Sequence, residues 1–536
     1  MKPPYAKIDA TQAVAWDAAR ESLRDSRRDL SSLARGWLLN LLGVISYGLF
    51  GFIFGLVIAR GLGAAGAGVF FTAVALFTIA AAGAQFGAST GLVRSIARFR
   101  ALGQLDSIRP TLSTALFPIV LTGILLGAAL FVLAGDIVAL VLDGSAAETA
   151  VRYLRVFAPF LPLAVASTAL VGATRGLGTM VPLVVIEHFG KAILRPALAL
   201  VVLAGGLGSL ALAFAWAVPH ALGFAAAVIA LILLVRRSPH ATGSAYRPSV
   251  ELAGQFWRFA APRGIAGVFQ ITLFWLDTIL VAALASPHEA GIYKAAISYI
   301  TQGSFANQAI VFVIGPLLSA LLAQGLRERA QSVYQTATWW LSSLAWPIYF
   351  TLAVFAPLFM SVFGPEFVAG DTVLVILALP MLLAMAAGPV NVVLVMAGKS
   401  TWNLLNVALA LIVNVGLNLI LIPPFGITGA AIAWAATILV LNLAALLEVR
   451  VFLKLRPLGS GFPIVALLSA GCYGALGLAI RGALGPTLPA FLLFAALSTA
   501  LYVMLIWRFR EALHVSVLFE SMPSRKRGKM TRAELA

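Results

Sequence analysis

Long apolar runs separated by short polar stretches recur from one end of the sequence to the other. Each holds roughly 20 residues or more, enough helix at about 1.5 Å per residue to cross a hydrocarbon core of roughly 30 Å. The pattern predicts six spans at 37–58, 67–89, 111–134, 151–173, 180–203 and 211–234. After the polar linker RRSPHATGSAYRPSVELAGQFWR, six more follow at 260–284, 291–320, 333–356, 372–396, 401–422 and 427–447. Two last runs, 462–480 and 487–507, bring the count to about fourteen. We number these spans 1 to 14. The expected fold is an all-α polytopic membrane protein.

The second six resemble the first. AGAGVFFTAVALF at 65–77 echoes HEAGIYKAAISYI at 288–300, and ALAFAWAV at 211–218 echoes GAAIAWAA at 429–436. Both pairs are offset by about 220 residues, a constancy that chance apolar similarity does not maintain. An even number of spans per repeat enters the membrane in the same sense twice, so the two lobes are expected to be related by a pseudo-two-fold axis along the membrane normal, with a cavity between them. The chain then divides into a tail at 1–36, an N-lobe at 37–234, a linker at 235–259, a C-lobe at 260–450, two added spans within 451–507, and a basic tail at 508–536.

Composition supports this reading: 61% of residues are hydrophobic and 11% charged, with a mean hydropathy of +0.99. The net charge of +17 sits in loops and tails. No segment is large enough to form a soluble basic domain, so nucleic acid is not an expected partner. Alternate loops carry the cations, among them Arg94, Arg98, Arg100 and Arg109, then Arg236, Arg237 and Arg247, then Arg450, Lys454 and Arg456. The intervening loops hold Asp136, Asp143, Glu148, Glu289, Glu366 and Asp371. By the positive-inside rule the basic loops and both termini face the cytoplasm. The single Cys472 lies in an apolar run, and neither a metal-ligand cluster nor a nucleotide-binding glycine motif is present, so no cofactor or metal is expected.

Chemistry concentrates in a few polar residues inside spans. Span 5 carries Glu187, His188, Lys191 and Arg195 on one side of a helix. Charges at such depth cost roughly 3 kcal/mol each unless paired or wet. Glu187 and Lys191 at i, i+4 suit a structural ion pair with Arg195 reaching towards the surface. Alternatively, Lys191 and Arg195 line a hydrophilic path for an anionic cargo, since one Glu neutralises only one cation. Span 7 holds Arg263 and Asp277, too far apart at about 21 Å to pair, so each needs another partner. Span 11 carries Asn403, Asn406, Asn414 and Asn418, a stripe suited to hydrogen bonds between helices or to a hydroxyl-rich cargo.

The stretch IARGLGAAGAGVFFTAVALFTIAAAGAQFGASTGLVRSIARF at 58–99 resembles the opening signature of the polysaccharide transporter family, the Wzx-like oligosaccharide flippases. LDTILVAALASPHEAGIYKAAISYI at 276–300 is similar to that family's seventh and eighth spans. Arg60, Gly63, Gly68, Arg94, Asp277, Gly291 and Tyr293 match recurring family positions. The resemblance covers most of 37–450. It implies a flippase that carries a lipid-linked oligosaccharide, usually on undecaprenyl pyrophosphate, between leaflets of the bacterial plasma membrane for surface or exopolysaccharide synthesis. It also implies alternating access through a cationic cavity between lobes, with membrane lipids and polysaccharide polymerase or export machinery as partners. Two relatives in the same superfamily supply alternatives, a drug or cation antiporter of the multidrug and toxic compound extrusion type and a lipid II flippase; a membrane glycan polymerase is a third. The Asp-Ala-Phe and Arg-Arg-Leu-Phe type runs of the lipid II flippases are missing, and the short outer loops suit a polymerase poorly.

Overall fold

In a computed structural model the protein is described over residues 10–236, 249–459 and 461–509. The linker at 237–248 and the basic tail from 510 onward lie outside the described residues. Helices account for nearly all of what is described, and no strand occurs among those residues. Among the described residues, nine helical stretches are long and apolar enough to cross a membrane.

Two of the nine are folded back on themselves. Ala10–Gln85 is helical throughout except at Gly63, whose φ of 69° and ψ of 178° break it. Phe54 and Phe70 would stand about 24 Å apart along an unbroken helix, yet their ring centroids are 6.0 Å apart. Spans 1 and 2 therefore form a hairpin that turns at Gly63. Ser400–Glu448 turns in the same way at Gly426, with φ 55°. There the amide of Asn406 in span 11 donates to Glu448 in span 12 at 2.7 Å. Three further stretches, 183–204, 287–323 and 327–354, are more polar or broken but packed among the others. Together these make about fourteen passes, in the order the hydropathy pattern predicts. Apolar side chains stand outward where lipid would lie, with Ile412 70% and Leu467 75% exposed.

The helices run beyond the apolar runs at several ends. Span 6 is helical to Arg236 and span 7 starts at Val250, which leaves a shorter connection between lobes than the polar composition of 235–259 suggests. Span 5 opens as a π-helix, Leu183–Gly190, before continuing as Lys191–Ala204. Spans 13 and 14, Phe462–Leu484 and Leu488–Arg508, lean on span 9. Arg481 donates to the carbonyl of Val354 at 2.6 Å, and Tyr502 to that of Ser343 at 3.0 Å.

The N-lobe core is aromatic. Phe77, Phe157 and Trp216 from spans 2, 4 and 6 meet with centroids 4.6 to 6.1 Å apart, in tilted and edge-on geometries that aromatic pairs favour.

Candidate functional site

The lobes meet along a seam formed by spans 1 and 2 on one side and spans 7 and 8 on the other. At the end bearing the acidic loops the seam is shut. Gly68 and Gly291 bring spans 2 and 8 so close that a Cβ on Gly68 would run into the carbonyl of Pro287, and one on Gly291 into that of Ala64. Arg60 donates from Nε and Nη2 to the carbonyl of Val362 at 2.9 and 2.6 Å. Glu366 accepts from the N–H of Ala64 at 2.8 Å, capping the start of span 2 across the lobes. The C-lobe hairpin repeats the device: Glu289 accepts from the N–H of Ile427, just past the Gly426 turn, at 2.9 Å. Further along, Gln302 of span 8 donates to the Gly48 carbonyl of span 1 at 3.2 Å, and Phe52 packs on Tyr299 at 4.9 Å.

At the basic end spans 2 and 7 close again. Gly87, in a left-handed conformation with φ 78°, lies against Ala260 and Gly264, and Gly91 lies against Phe256. Arg94 stacks on the Phe259 ring at 4.0 Å, with Arg263 5.7 Å from the same ring. One helical turn inward from this closure, Gly83 and Gly267 have no atom within 4 Å of where a Cβ would stand. Spans 2 and 7 thus touch near the basic end, while the Gly83 and Gly267 faces one turn further in are open.

Lys294 of span 8 lies between the two closures, one turn inward from Gly291. Its Nζ is 3.9 Å from the Trp275 ring centroid, 5.0 Å from Phe274 and 5.8 Å from Phe71, the last on the opposite lobe. No carboxylate pairs with it among the described residues. Ring faces attract an ammonium by about 0.5–2 kcal/mol each without neutralising it.

The four span 5 residues do not converge on the seam. Lys191, buried, donates to Glu187 at 2.7 Å and to Ser167 at 3.1 Å, and Ser167 donates to the same carboxylate oxygen at 3.1 Å. Its chain fills the space left by Gly223 of span 6. Arg195 contacts Nε2 of His220 at 2.9 Å and lies 4.9 Å from the Trp216 ring, also towards span 6. His188 turns to span 1, its ring 6.0 Å from Tyr47 and its Nδ1 beside Gly43.

In the C-lobe, Asp277 is buried and joins three spans. Tyr293 donates to its Oδ2 at 3.0 Å, while Asn414 and Asn418 donate to its Oδ1 at 2.9 and 2.8 Å. The Oδ1 atoms of both asparagines are buried and have no hydrogen-bond partner among the described residues.

The profile of the polysaccharide biosynthesis protein family matches residues 33–322, more than half of the chain. The chain belongs to that family. Among curated proteins, the "Probable low-salt glycan biosynthesis flippase Agl15" of Haloferax volcanii is 27% identical over 197 residues, covering 35% of this chain and 40% of that relative. The match thus spans less than half of the relative's length. Among solved structures, the lipid II flippase MurJ in an inward closed conformation superposes with a TM-score of 0.69 over 89% of this chain and 99% of its own, at 12% identity. An inward-facing multidrug resistance MATE transporter of the MOP superfamily gives 0.61 over 76% and 94%, at 16% identity. The polysaccharide biosynthesis member described here therefore has the fold of that superfamily.

Lys294 escaped the sequence reading, although it stands within the HEAGIYKAAISYI repeat. A lone lysine at the fourth position of an apolar span was the available signal. The structure gives the family positions Arg60, Gly63, Gly68 and Gly291 work in closing the acidic end, and Arg94 in closing the basic end. Tyr293 serves the Asp277 cluster.

Proposed function

We propose that this protein flips a lipid-linked oligosaccharide of the polyprenyl pyrophosphate type from the cytoplasmic to the periplasmic leaflet of a bacterial plasma membrane. The basic end then faces the cytoplasm, with both termini. The lobes open alternately at the two closures, and the glycan and head group pass between spans 2 and 7 while the polyprenyl tail stays in lipid. A pyrophosphate-linked glycan cannot cross hydrocarbon alone, because burying its charge without partners costs several kcal/mol or more.

The observation that carries this reading is Lys294, a cation between the two closures that among the described residues has rings around it and no acidic partner. A phosphate oxygen offers a charge-assisted hydrogen bond that the rings do not. Arg263 is a secondary candidate for the head group, and Lys191 and Arg195 are weaker ones, because Glu187 holds the first and the second turns to His220 and Trp216 of span 6. Asp277 with its two unpartnered amide oxygens is the place we assign to a coupling proton or ion, ahead of Glu187 and His188. Asn414 and Asn418 then serve this carboxylate rather than sugar. Downstream polymerase or export machinery would consume the flipped glycan.

The test is translocation of a fluorescent polyprenyl-pyrophosphate glycan in proteoliposomes, with lipid II and a cationic dye as rival cargoes. The glycan carrier should move faster than either rival. Dye moving against a proton or sodium gradient, with the glycan lipid static, would make the antiporter reading the correct one. Preferential movement of lipid II would replace the cargo.

A further inference from the structure

Just beyond the closure at the basic end lies a cleft of about 370 Å³ between the two lobes. Arg94 and Arg98 from helix Ala88–Ala101 form one wall; Gln255, Arg258 and Phe259 from Val250–Leu284 form the other. Three guanidinium groups thus face one cavity, and no carboxylate lines it among the described residues. None of the three forms an ion pair among the described residues. Glu251, one turn before Gln255 on the same helix, accepts from the Gln255 amide at 3.4 Å and is not part of the lining. Positive loops set membrane topology, but topology does not require cations of opposite lobes to share a cavity. Nor does it require Arg94 of one lobe to be stacked at 4.0 Å on Phe259 of the other. Stacking fixes the plane of Arg94 and leaves its N–H edges free, the arrangement that suits bidentate recognition of phosphate.

We propose that this cleft binds the phosphate or diphosphate head of a lipid in the adjoining leaflet, and that binding holds the basic-end closure shut. The inference rests on the cytoplasmic placement of this end given above. The physical argument is one of differential contact. A phosphate in the cleft touches both lobes only while Gly87 and Gly91 lie against span 7, so it binds the closed arrangement better than the open one and shifts the population towards it. The ligand chemistry has two sources, the pyrophosphate of a polyprenyl carrier and the phosphodiester of an anionic phospholipid.

The experiment uses the full chain with spin labels on Ala101→Cys and Gly254→Cys, one on each lobe, in a Cys472→Ser background. Distances are read by double electron–electron resonance in nanodiscs of phosphatidylcholine alone, with phosphatidylglycerol, or with a polyprenyl pyrophosphate. Inorganic pyrophosphate is added in a fourth sample. The expected result is at least a threefold rise in the ratio of short to long distances with a phosphate-bearing lipid, lost in Arg98→Gln/Arg258→Gln. A response to the polyprenyl lipid alone identifies the cargo as the occupant, and a response to phosphatidylglycerol identifies a regulatory lipid. A response to inorganic pyrophosphate alone, an unchanged distribution in every sample, or an equal response in the double variant overturns the proposal. Because the distances require no transport, such a failure would leave the flippase reading standing, and that reading can fail in the translocation assay while the cleft still binds lipid.

Discussion

Lys191 and Lys294 show how the same residue type takes opposite parts. Lys191 is matched by Glu187 within its own helix and by Ser167 from span 4, while Lys294 has only rings among the described residues. Removing one member of a buried pair leaves an uncompensated charge and costs roughly 3–5 kcal/mol, whereas removing both costs less. Lys191→Ala should therefore lower the thermal midpoint of the purified protein more than Glu187→Gln/Lys191→Ala does. The reverse order would mean that Lys191 is not held structurally. Asp277→Ala leaves the donors of Tyr293, Asn414 and Asn418 unmet at about 1–3 kcal/mol each. Loss of folded protein is the expected outcome, and Asp277→Asn should be milder; equal stability of all three forms in a melting assay would contradict the network. Asp277 and the asparagines were legible as polar residues in apolar spans, but their meeting was not. Residues 137 and 141 positions apart come together only through packing. The span 5 charges were legible as a group, and their dispersal to spans 1, 4 and 6 follows from neighbours that spacing within one helix does not reveal.

At the scale of elements, the hydropathy pattern located nearly every span because crossing a membrane demands long apolar helices. The pattern was silent on how they join. Spans 1 and 2 turn within a residue or so at Gly63, in a region of φ/ψ that only glycine enters cheaply, with Glu366 completing the turn from the other lobe. Gly63→Ala should destabilise by about 1–3 kcal/mol, read as a lower melting midpoint. Gly51→Ala, at a helical position open to its surroundings, is the control and should be neutral or slightly stabilising. Similar behaviour of the two variants would remove the turn from the account. The π-helix at Leu183–Gly190 was likewise hidden, since an extra residue in a turn is fixed by packing rather than by hydrophobic period.

For the whole molecule, the repeat offset of about 220 residues announced two lobes, yet not the seam between them. The seam depends on glycines that meet across lobes, Gly68 with Gly291 and Gly87 with Gly264, and on Lys294 between those closures. A glycine in an apolar span looks the same in sequence whether it faces lipid or another backbone. The central claim is that an anionic lipid head passes through this seam against Lys294. Its most direct test is translocation of the fluorescent polyprenyl-pyrophosphate glycan by wild type, Lys294→Gln and Lys294→Arg, at matched amounts of folded protein. A charge-assisted contact worth roughly 1.5–3 kcal/mol predicts a fall of tenfold or more for Lys294→Gln and substantial retention for Lys294→Arg. Wild-type rates for Lys294→Gln would show that the head group takes another path.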